Sequence, residues 1–115
     1  MKQQNEFMLV FRFEPNFNHQ PTEAELAEMG QQWGAYFGEL GSQGKMVSTH
    51  QLGFEGMVIS ADHSVTEGIH ISNKQTLGGN LIVKADTMKE AVAIGKKCPI
   101  LLMGGTVEVR SIQPM

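Results

Sequence analysis

Apolar residues fill both faces of Phe7-Met8-Leu9-Val10-Phe11-Arg12-Phe13 until Arg12 interrupts them. That pattern predicts a central β-strand covered on both sides. The period then changes: Leu26, Met29, Trp33, Phe37 and Leu40 recur at intervals of three and four, with Tyr36 widening the stripe. This is the signature of an amphipathic helix. Thr22-Glu23-Ala24-Glu25 opens it as a capping box, and Gly44 closes it as a C-cap. Residues 45–52 read as a strand with Met46, Ser48, His50 and Leu52 on one face. Residues 54–60 read as another, with a bulge at Gly56, and a turn at 61–64 carries His63 at its tip. Residues 65–71 form a short strand or extended arm, and residues 80–86, rich in branched side chains, a further strand. A second capping box, Thr87-Met88-Lys89-Glu90, starts a shorter helix with the stripe Met88, Ala91, Ile94, Gly95 and Cys98. Pro99 ends it, because the residue before a proline is disfavoured in the helical region. Val107 and Val109, alternating with Glu108 and Arg110, make the last strand.

The order strand, long helix, strands, strand, short helix, strand is an α+β arrangement of the ferredoxin-like split β-α-β type. Both helices then lie on one face of an antiparallel sheet. The other face needs a cover, so the pattern predicts a homodimer with two sheets packed face to face. Gly30, Gly34 and Gly38 fall along one flank of the long helix, where each costs about 1 kcal/mol relative to alanine. The expected return is close approach of another backbone, such as a second subunit's, with room for a ligand as the alternative.

Composition narrows the partners. The 115 residues suit a single domain, 1–115, with a net charge of -3 and no basic stripe. Nucleic acid and anionic membranes are therefore not expected partners. Lys96-Lys97 complements a helix C-terminus. Cys98 is the only cysteine; it excludes an internal disulfide, points to a reducing cytoplasm and reads as a core residue. No apolar leader region precedes the first strand, and no apolar run reaches the ~20 residues of a membrane span. His19, in a loop bracketed by Pro15 and Pro21, is expected to be solvated.

Chemistry concentrates in Val65-Thr66-Glu67-Gly68-Ile69-His70 and in the run 73–79, where an acid, an imidazole, a lysine and paired glycines crowd together. Glu67, His70 and His50 are the candidate catalytic groups, since a general base needs a pKa near the working pH and a partner to orient it. Arg12 or Lys74 would hold a small anionic substrate, with Trp33 as a further contact. The plainer reading is that Glu67 orders its turn and the histidines are satisfied surface groups. No His-x-His spacing supports a metal, and no cofactor is expected. Gly78-Gly79 opens no helix and reads as a tight turn into the strand.

Trp33-Gly34-Ala35-Tyr36, Gly44-Lys45-Met46-Val47, Val65-Thr66-Glu67-Gly68, Leu77-Gly78-Gly79 and residues 104–110 resemble, in order and spacing, the YCII-related family and in particular its DGPF branch. The resemblance implies a dimeric α/β barrel. The branch's Asp-Gly-Pro-Phe signature reads here as Glu67-Gly68-Ile69-His70. The His-Asp pair attributed to relatives of the YCII branch is replaced on the first helix by Gln32, Trp33 and Ser42. Two functions follow: acid/base chemistry, of isomerase or lyase type, on a small anionic metabolite or its binding, and a non-catalytic dimeric regulatory or protein-interaction module.

Overall fold

The computed structural model describes residues 5–15 and 22–113; His19 lies outside them. Its elements are β1 (Asn5–Phe13), α1 (Glu23–Ser42), β2 (Met46–Gln51), β3 (Met57–Ile59), β4 (Val65–Glu67), β5 (Ile71–Ser72), β6 (Gln75–Ala85), α2 (Met88–Lys96), a 3-10 helix (Pro99–Met103) and β7 (Thr106–Ser111). The main antiparallel sheet runs β2-β6-β1-β7, with β5 added beside β6, while β3 and β4 form a separate two-stranded arm. This is the expected α+β, split β-α-β topology. Among the described residues no closed barrel forms.

Strand alternation sorts the side chains onto two faces. Phe7, Leu9 and Phe11 of β1 pair with Val83, Leu81 and Gly79 of β6 and turn towards the helices. There they join Tyr36, Leu40, Ala91, Ile94, Cys98 and Ile100 in the core. Met8 and Val10 point the other way, and cross-strand rows Ser48–Ile82–Met8–Arg110 and His50–Asn80–Val10–Glu108 traverse that open face. Met8, Val10 and Ile82 remain only half-buried, so β1 is covered on one side within the chain, not on two.

Both capping boxes form: Thr22 Oγ1 accepts the Glu25 amide at 3.1 Å, and Thr87 Oγ1 accepts the Glu90 amide at 3.2 Å. Gly44, just past α1, takes the left-handed φ of +68° that a C-cap requires. Four expectations change. Leu26 leaves the apolar stripe at 54% exposure, as does Met88 on α2, because each helix begins beyond the edge of the core it covers. A register shift between Met46 and Ser48 puts Met46 opposite Val83, away from the face of Ser48 and His50. The turn into β6 falls at Asn73-Lys74, both at positive φ, and Gly78-Gly79 lies inside the strand. Glycine is needed there for closeness: a Cβ on Gly79 would collide with the His50 carbonyl, and one on Gly78 with the Phe13 ring. Finally, the strand expected over 65–71 breaks at Gly68, whose φ is +100°.

Candidate functional site

A cavity follows from how α1 meets the sheet. Its C-terminal half is anchored by buried Tyr36 and Leu40. The Tyr36 hydroxyl donates to the Ile94 carbonyl at 2.9 Å. Residues 22–28, by contrast, are exposed. Between these halves Met29, Gly30, Trp33 and Phe37 overhang the sheet, and a cavity of about 450 Å³ opens beneath them, within the range of ligand pockets. Phe11 and Phe13 form one wall, Thr49, Gln51, Gly78 and Gly79 the floor, and Ile100 and Met103 of the 3-10 helix a flank.

Trp33 is the centre of the aromatic wall, its ring 5.7 Å from Phe11, 5.4 Å from Phe37 and 6.2 Å from Tyr36. The polar groups are few. The Thr49 hydroxyl already donates to the Asn80 carbonyl at 2.9 Å. Gln51 pairs with Gly79 and so projects on the cavity side with Thr49. His50 also borders the cavity, but alternation turns its ring to the open face. There its Nδ1 lies 3.3 Å from the Asn80 Oδ1, which shares that face.

The structure brings Trp33 to the cavity and His50 to its border, and leaves Glu67, His70, Lys74 and Arg12 elsewhere. Glu67 is exposed at the end of β4 in the arm. His70 is exposed before β5, and its carbonyl accepts the Thr76 hydroxyl at 2.8 Å. Among the described residues no hydrogen bond or ion pair joins Glu67 to His50 or His70. Lys74 occupies the β5–β6 turn. Arg12 lies on the open face, where its Nη1 donates to Glu108 Oε1 at 2.8 Å; Arg110 reaches the other carboxylate oxygen at 3.1 Å. These two guanidiniums, Arg110 foremost, hold the Glu108 carboxyl below the usual range. Asp62 is likewise lowered, by accepting hydrogen bonds from the Ser64 hydroxyl and amide at the arm's tip.

Cys98 is buried, and burial pushes its thiol up, away from the reactive thiolate. Burial also raises Tyr36, with Cys98 beside it adding to the effect. The pair belongs to the core. Among the described residues no group of three or more His, Cys, Asp or Glu clusters to hold a metal. Sequence reasoning missed the cavity residues Phe13, Thr49 and Gln51. Gln51 and Thr49 were legible only as the alternate positions of β2 to His50, and nothing local marks them as lining a space.

A family model described as the YCII-related domain matches residues 6–115. A search of the curated proteins finds none that matches the chain.

Proposed function

The chain belongs to the YCII-related family, and from that footing we propose that it acts as a homodimer binding a small metabolite in the cavity beneath α1. The observation that carries this is the cavity itself: about 450 Å³, walled by Trp33 and its neighbouring rings. An apolar pocket with a few placed polar groups is the ordinary form of a small-molecule site. Acid/base turnover needs a titratable side chain in the space. Among the described residues the lining supplies one at His50 alone, with its ring on the far side of the sheet, so binding is put ahead of catalysis by Glu67, His50 and His70. A second copy would cover the half-buried row of Ile82, Met8 and Val10, two sheets then forming the dimeric barrel. We further infer assignment to the DGPF branch, from Glu67-Gly68, and a reducing cytoplasmic setting, from the lone Cys98. Among the described residues no helix is long and apolar enough to cross a membrane.

A second reading, a protein-interaction module, is favoured by the arm. Met57, Ile59 and Val65 share one of its faces and are 66, 71 and 58% exposed. A two-stranded hairpin is marginal in water on its own, and a partner surface would stabilise it.

The two readings separate in a thermal-shift screen of small organic acids, lactones and neutral aromatics against the protein and its Gly30→Leu variant. Gly30 lines the cavity and has open space where a Cβ would go, so leucine there is tolerated and intrudes on the space. Binding predicts that some compounds raise the Tm of the parent by a few degrees and not that of the variant. If no compound does so, the cavity is not a site and the interaction reading takes over.

A further inference from the structure

We propose that the cavity takes an uncharged, planar aromatic ligand, stacked against Trp33 and meeting the Gln51 amide at its polar end. The inference rests on the binding reading above and specifies its ligand class, in place of the anionic metabolite expected from the sequence. Three observations carry it. Among the described residues no Asp, Glu, Lys or Arg lines the cavity, so an ionised group entering it would lose its hydration with no counter-charge from them to replace it. The net charge of -3 adds to the disadvantage of an anion. Arg12, the cation nearest in sequence to the aromatic wall, is committed to Glu108 on the opposite face.

Shape supplies the second. Trp33 is tilted by 60° to Phe11 and by 38° to Phe37. Rings at such angles accept another ring edge-to-face on one and offset-stacked on the next. Gly78 carries no side chain and the Phe13 ring packs against it, which adds a further aromatic surface beside Thr49 and Gln51. The volume equals that of on the order of 15 water molecules, which suits two or three rings.

The third is the polar inventory. The Thr49 hydroxyl is spent on Asn80, whereas among the described residues the Gln51 side chain makes no hydrogen bond. An amide both donates and accepts, so it fits a phenol, an amine or a carbonyl equally and selects against none of the neutral forms.

A matched pair of probes tests the class. N-phenyl-1-naphthylamine is neutral, and 8-anilino-1-naphthalenesulfonate is the same skeleton with a sulfonate. Trp33 is the only tryptophan, so energy transfer from it reports a probe bound to the chain, and its loss in Gly30→Leu places that probe in the cavity. The neutral probe is expected to bind one per chain with transfer from Trp33, and the sulfonate about tenfold or more weakly. Gly30→Leu should abolish transfer to the neutral probe while circular dichroism stays unchanged. Equal affinity for the two probes, or a preference for the sulfonate, overturns the neutral class and leaves the cavity a site. Absence of binding by both overturns the aromatic class, and the compound screen then decides the cavity separately. Binding that survives Gly30→Leu unchanged lies elsewhere on the molecule and overturns the class and the site together.

Discussion

At the scale of single residues, Glu108 does what the sequence had offered to a substrate: it engages Arg12. Its carboxylate bridges Arg12 and Arg110 across β1 and β7, and the two cations stabilise the ionised form. The folded pKa therefore lies below the unfolded one. The stability it contributes is complete above the unfolded pKa, about 4.3 for glutamate, and is lost as pH falls through the lowered folded value. All three side chains are well exposed, so screening by water keeps the effect small. Urea midpoints taken from neutral pH downwards should show a shallower acid-side decline in Glu108→Gln than in the parent. An identical slope in the two proteins would remove Glu108 from the acid response. Arg12 shows what is not legible at this scale: the sequence gives a charge but not which face of a strand carries it, nor that an acid 96 residues later pairs with it.

At the scale of elements, α1 is a helix of two halves. The capping box, the stripe and the C-terminal glycine were all legible, since each is a local signal. What was not legible is that only Tyr36 and Leu40 are buried in the core, while Trp33 and Phe37 pack against its edge and, with Met29, line the cavity. The glycine flank differs from expectation in the same way. Among the described residues nothing lies within 4 Å of a Cβ built at Gly30, Gly34 or Gly38, so no described backbone of this protomer requires them. Replacing Gly34 and Gly38 by alanine should thus stabilise the helix by about 0.5–1 kcal/mol each, read as a rise of a few degrees in Tm. If instead the variants lose stability together with self-association, the flank is where a second subunit's backbone approaches. The arm is a further element whose existence was legible and whose extent was not. Its strands shrink to three residues each, since beyond them Gly56 and Gly68 end the ladder.

At the scale of the whole molecule, the sheet carries helices on one face only, and its principal extents are 47 × 43 × 19 Å. The radius of gyration is 16.0 Å, against about 13 Å for a globular chain of this length. A slab with a projecting arm leaves apolar surface that a second slab would bury, which is the physical case for the dimer. Sedimentation should give twice the 12.7 kDa chain mass. Val10→Asp, which sets a second carboxylate beside Glu108 in the middle of the open face, should give a monomer with its secondary structure intact. A monomeric parent, or a variant that still dimerises, would dismiss the open face as the interface.

The sequence by itself determined the strand and helix order, the two capped helix starts and the antiparallel split β-α-β plan. Each of these rests on periodicity and on contacts within a few residues. The tertiary structure alone decided where the space is and what faces it. The register of β2 on β6 set Thr49 and Gln51 towards the cavity and the His50 ring away from it. The fold sent Glu67 to the arm and Arg12 to the far face. A one-residue change in register reverses every side chain of a strand, and no local pattern of hydrophobic and polar residues carries that information.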